Sequence, residues 1–120
     1  MPQYVDGFVL PMPKENVAAY KKMAEKGCKI WLEHGALEYR ECIAEDTETK
    51  FGLSFPAGIN AKPDETVVFA WITYESRAHR DAVNEKVMKD PRLAEDMANF
   101  EMPFDSKRML YGGFEVLVAS

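Results

Sequence analysis

The chain has 120 residues, is 47% hydrophobic and 12% aromatic, and carries a formal net charge of −5. A chain of this length buries roughly two-thirds of its unfolded surface, so one domain over residues 1–120 is expected and a disordered tail is excluded. Acids outnumber bases, which argues against a nucleic-acid partner, since phosphate neutralisation calls for a basic surface.

Tyr4 to Met12 reads as a strand closed by Pro11 and Pro13. Asn16 is placed to cap the helix that follows. From Val17 the apolar positions Tyr20, Met23, Ala24, Cys28 and Trp31 recur every three or four residues, one face of a helix that Gly35 ends. Gly27 falls inside that helix, where glycine costs up to ~1 kcal/mol relative to alanine, and close packing against a sheet would explain it. A second strand is expected over Ala36–Ala44, with a short extension at Phe51–Phe55, and the clearest strand runs from Thr66 to Tyr74. A second helical region starts near Ser76 and is broken at Asp90-Pro91, because proline forbids the interior hydrogen bond. The last strand is expected over Arg108–Val118.

The order strand, helix, strand, strand, helix, strand is that of an α+β ferredoxin-like βαββαβ fold, a four-stranded antiparallel sheet with two helices on one face. In the third strand Val67, Phe69 and Trp71 point one way and Val68, Ala70, Ile72 and Tyr74 the other. Both faces are apolar, yet helices cover only one. A second copy of the chain is the economical cover for the other, so a homodimer is expected.

Alternation in the last strand puts Leu110, Gly112, Phe114, Val116 and Val118 on one face, expected to meet the helices. Tyr111, Gly113 and Glu115 are then expected on the open face. Asp6 shares a face with Tyr4, Phe8 and Leu10, and Arg40 with Glu38 and Cys42. If these faces coincide, Asp6, Arg40, Tyr111 and Glu115 line one concavity beside Trp71 or Tyr74. The functional reading makes Asp6 or Glu115 a general base, with Arg40, Trp71 and Tyr111 holding a small polar or aromatic ligand and Lys107 and Arg108 drawing anions to the mouth. The structural reading makes the same groups an ion pair that sets dimer register, and leaves Lys107 and Arg108 solvated. Asp6 is the sharper residue, since aspartate is disfavoured within a strand. Gly7 after it marks a bulge or a close backbone approach.

Cys28 and Cys42 stand alone without metal spacing and read as reduced thiols of a cytoplasmic protein. No metal site, cofactor motif or nucleophile elbow is present in the sequence. His34 falls in the last turn of the first helix, and Arg80-Asp81 beside His79 reads as a solvated face. No apolar run approaches the ~18 residues of a membrane span, and no leader pattern opens the chain, so neither membrane insertion nor secretion is expected.

Three separated motifs, Tyr4-Val-Asp-Gly-Phe8, Asn84-Glu-Lys-Val-Met-Lys-Asp-Pro-Arg92 and Met102-Pro-Phe-Asp-Ser-Lys-Arg-Met-Leu-Tyr-Gly-Gly-Phe-Glu115, occur in this order. In them the chain resembles the YbaA-like family of small bacterial proteins, a family without an established reaction. The resemblance runs from about Tyr4 to Val116 and implies a dimeric α/β barrel. The wider barrel group includes cofactor-independent monooxygenases, haem-binding enzymes and small isomerising or dehydrating enzymes. Three readings stay open: an enzyme without cofactor, a non-catalytic ligand-binding dimer, and an interaction or stress-associated protein whose sheet face is wholly packed.

Overall fold

A computed structural model describes residues 2–99 and 102–120. Four strands, β1 (Tyr4–Pro13), β2 (Glu38–Ile43), β3 (Glu65–Tyr74) and β4 (Leu110–Glu115), form one antiparallel sheet in the order β2-β3-β1-β4. The helices are α1 (Val17–Glu33), a single turn α2 (Phe55–Gly58), α3 (Arg77–Met88) and α4 (Pro91–Asn99). This is the ferredoxin-like arrangement that the element order predicts, with the second helical region in two pieces at Pro91. Within the described residues the sheet is open and does not close into a barrel by itself. No helix among them is long and apolar enough to cross a membrane.

Local chemistry accounts for the boundaries that differ from expectation. Gly35, at φ 113°, ends α1, and the Ala36 N–H still donates to the Trp31 carbonyl, so β2 begins only at Glu38. The expected extension at Phe51–Phe55 is absent: Ser54 accepts from the Ala57 N–H and caps α2 instead. Asn16 stands at the start of α1 but does not cap it; its Nδ2 donates to the Pro103 carbonyl at 2.8 Å, tying α1 to the segment before β4. Asp105 accepts from the Lys107 N–H and turns residues 106–108 into a 3-10 turn, which delays β4 to Leu110.

On the helix side of the sheet, Leu10, Met12, Val68, Ala70, Ile72 and Tyr74 are all buried. Two apolar clusters form there. One gathers Tyr4, Ile30, Ile72, Tyr74, Val83 and Val87, the other Leu10, Met12, Val68 and Ala70, and Phe8 packs against both. The two-faced character of β3 is as expected, with Val67, Phe69 and Trp71 on the side away from α1 and α3, where Phe55 of α2 meets Phe69.

The faces of β4 are the reverse of the expectation. Asp6 is registered with Gly113 and Phe8 with Tyr111, so Tyr111, Gly113 and Glu115 lie on the helix side and Leu110, Gly112 and Phe114 on the open side. Alternation alone sends the more apolar set to the helices, because burial usually sorts the faces. Here the open face is itself apolar, and Leu110 and Phe114 extend the surface made by Val5, Val9, Phe69 and Trp71. The expected bulge at Gly7 is also absent. Pairing with β3 is continuous from Tyr4 to Pro13, and Gly7 lies opposite Gly112 with the Phe114 ring against both.

Gly113 is required by a neighbour rather than by its backbone angle. A Cβ there would lie 2.7–2.8 Å from Tyr4 ring carbons and overlap the Tyr4 hydroxyl. Gly113→Ala should therefore displace Tyr4 from the core and cost about 1–3 kcal/mol, the usual penalty of overpacking. Urea unfolding measures it, and an unchanged midpoint would refute the reversed face of β4.

Candidate functional site

Asp6 is 1% exposed at the centre of the helix side. The Arg80 guanidinium, carried by α3, donates to its Oδ1 at 2.6 Å and lies over the Tyr4 ring, 4.9 Å from the centroid. Burial raises the pKa of Asp6, while the charge and hydrogen bond of Arg80, with Asn84 and Tyr111 close by, pull it back down. Asn84 Oδ1 in turn accepts from Trp31 Nε1 at 3.1 Å and from the Tyr74 hydroxyl at 3.3 Å. Tyr111 is half-exposed and packs on Phe8, ring centroids 5.0 Å apart. Arg80, read from sequence as solvated, is thus the partner that makes an aspartate tenable within a strand.

Of the predicted site residues, Asp6, Tyr111 and Glu115 share a face, but it is the helix side, beside Tyr74. Glu115 sits opposite Tyr4, diagonal to Asp6, and is exposed. Arg40 and Trp71 are paired across β2 and β3 on the open side, so the structure does not bring them to Asp6. There Glu38 accepts from Trp71 Nε1 at 2.8 Å and lies 3.7 Å from Arg40. Arg108 holds Glu65 through two hydrogen bonds, at 2.8 and 2.9 Å, and the Asn60 carbonyl at 2.9 Å, which ties β4's approach to β3. That contact holds the Glu65 carboxyl down at about 2. Lys107 is exposed. His34 caps α1 and its Nε2 lies 2.8 Å from Asp90 Oδ2, a carboxylate also held by Arg92.

A cavity of about 280 Å³ opens between the two apolar clusters, under α1 and against β1, β2 and β3. Phe8, Leu10, Ile30, Trp31, Ile72 and Phe104 are among its walls. At one side stands Glu41. The Tyr20 hydroxyl donates to its Oε1 at 2.6 Å and the Tyr39 hydroxyl to its Oε2 at 2.8 Å. Burial pushes the Glu41 carboxyl above its ordinary range, and the two phenols partly offset this. Both phenols are held protonated, first by burial and then by the charge of Glu41. Gly27 explains how the group fits: a Cβ there would lie 3.1 Å from the Tyr39 hydroxyl, so the glycine expected to pack closely on the sheet clears space for this oxygen. Sequence reasoning passed over Glu41, although its position between Tyr39 and Ile43 on the apolar side of β2 is a signal.

A family model described as a protein of unknown function, DUF1428, matches residues 3–106. The chain belongs to this family. It is 45% identical to the uncharacterised protein YbaA of Escherichia coli K12 over 116 residues, 97% of each chain, and equally to that of Shigella flexneri. No biochemical function is established for DUF1428 or these relatives. A crystal structure of a dimeric ferredoxin-like protein from an uncultured marine organism is similar over 100% of both chains, with TM-score 0.59 at 12% identity, a likeness of fold alone.

The motifs that carry the DUF1428 resemblance meet in space. The first supplies Tyr4 and Asp6, the second Asn84, the third Tyr111 and Gly113, and the other four gather around Asp6. What these motifs build is a fixed polar knot joining β1, β4 and α3. The Glu41 group lies outside it, across Phe8 and Trp31.

Proposed function

We propose that this DUF1428 protein is a cytoplasmic homodimer that binds a small aromatic molecule, and that the ligand sits between α1 and the sheet rather than between the sheet and the partner. The observation that carries the reading is the cavity of about 280 Å³, close to the lower end of the roughly 300–1,000 Å³ of small-molecule sites and, like them, apolar with few polar groups. Asp6 is enclosed and held by Arg80, which favours a positioning role for it over that of a base acting on a ligand. The open face supports the dimer: Phe69, Leu110 and Phe114 are 44%, 57% and 61% exposed on one apolar surface, the kind of patch that marks an association site. The ferredoxin-like neighbour described as dimeric is consistent with that pairing. Cytoplasmic placement suits the two unpaired cysteines.

Calorimetric titration with one- and two-ring aromatic compounds tests the cavity. At least one should bind once per chain, and Ala24→Leu, which fills the same space from α1, should abolish the binding. If no compound in the panel binds at millimolar concentration, or if the filled variant binds as well as the original, the reading fails.

A further inference from the structure

The other covered carboxylates share a feature that Glu41 lacks. Asp6 holds Arg80 at 2.6 Å, Asp90 holds Arg92 at 2.8 Å, and Glu65 holds Arg108 at 2.8 Å. Among the described residues no cation pairs with Glu41; its two oxygens receive only neutral phenols. Each oxygen has a further lone pair to offer. Arg40, next in sequence, does not fill the gap, because its side chain points to the other face of β2, where Nη2 lies 3.7 Å from Glu38.

We propose that the ligand of this cavity is an organic cation, a protonated amine on an aromatic frame, whose ammonium group lies against Glu41. The inference rests on the cavity reading and names its ligand class. The walls suit such a guest. Tyr20 meets Phe104 edge to face at 5.7 Å, and Trp31 and Tyr39 lie 6.2 Å apart, so the lining presents π faces that attract a cation as well as stack an aromatic ring. Tyr20 and Tyr39 also orient the carboxylate, so the anion needs no rearrangement to receive an N–H donor.

The route is part of the same geometry. A second hollow, about 460 Å³, lies outside the first between α1 and the β2 edge, and its lining also includes Tyr20, Ala24, Tyr39 and Glu41. Glu41 thus stands in the wall that the outer groove and inner cavity share. An ammonium group meets the carboxylate at this boundary while its apolar frame extends inward. Lys21 and Glu25 also line the outer hollow, one charge of each sign, so at the boundary an anionic ligand would meet the Glu41 carboxylate itself and a neutral one would gain nothing from its charge.

The test compares three ligands of similar size and different charge: phenethylamine, phenethyl alcohol and hydrocinnamate, titrated calorimetrically into the intact protein at neutral pH. The amine should bind roughly tenfold to a hundredfold more tightly than the alcohol, the value of a charge-assisted hydrogen bond, and hydrocinnamate more weakly than either. Glu41→Gln should erase the preference for the amine, bringing its affinity level with that of the alcohol in the same variant. Equal binding of amine and alcohol, tighter binding of hydrocinnamate, or an amine preference that survives Glu41→Gln would overturn the amine assignment and leave the cavity reading intact. If none of the three binds, and the aromatic panel fails too, it is the cavity reading that falls. The comparison of amine with alcohol uses the unaltered protein, so it holds even if the variant folds poorly.

Discussion

Replacing Arg80 with methionine should cost about 3–5 kcal/mol, the penalty of leaving a buried charge without its partner. Asp6 is 1% exposed, and the guanidinium on its Oδ1 at 2.6 Å is what makes its ionised form tolerable. Methionine keeps much of the length of arginine and its apolar contacts, so the loss reports the charge and its hydrogen bonds rather than a void. The attraction between Arg80 and the Tyr4 ring disappears as well. A drop in melting temperature of more than about 10 °C is expected. Adding Asp6→Asn to the variant should recover part of it, because the orphaned charge is then gone. A loss below ~1 kcal/mol would mean that the pair behaves as a solvated surface bridge, and the knot around Asp6 would need another explanation.

Phe69→Glu should turn the proposed dimer into a monomer. Phe69 lies on β3, inside the sheet, 44% exposed and in edge contact with Phe55 and Trp71 on the open side. Truncating a central aromatic anchor costs at least ~2 kcal/mol, about thirtyfold in affinity, and an unpaired carboxylate facing an apolar partner costs more. Met88→Glu is the control: Met88 is 64% exposed, on α3, across the sheet from that face. Sedimentation equilibrium should show the mass halved for the first variant and unchanged for the second. A monomeric unaltered chain, or a dimer that tolerates glutamate at Phe69, would remove the sheet face as the interface.

The fold was legible because its signals are local and repetitive. The three-and-four spacing from Val17 to Trp31, the punctuation at Gly35 and Asp90-Pro91, and the doubly apolar Thr66–Tyr74 each specify an element without reference to the rest of the chain. The site was only partly legible. Asp6 stands out as an acid within a strand, but its partner is 74 residues away on a helix, and nothing near Arg80 distinguishes it from a solvated arginine. The face of β4 was misjudged because choosing the more apolar parity assumes that one side is wet. When both sides seek cover, parity no longer decides, and the register with β1 does. Glu41 is hard to read from sequence for a different reason: it follows Arg40, whose charge lies on the exposed parity of β2, and an acid on the apolar parity beside it carries no local mark of its two phenol partners.

The strand order has a consequence for how the chain is made. Of the four strands β1 is made before the others, yet it lies between β3 and β4, so one of its edges stays without a partner until residue 115 has been synthesised. Contacts between the beginning and end of a chain are slow to form, and an unpaired apolar strand is an invitation to aggregation while it waits. Asp6 is in the same position, with Arg80 arriving late and Tyr111 later still. A buried acid in that strand keeps the early, partnerless segment from being uniformly apolar. A charge within an unpaired strand is one of the devices that discourage pairing with another chain.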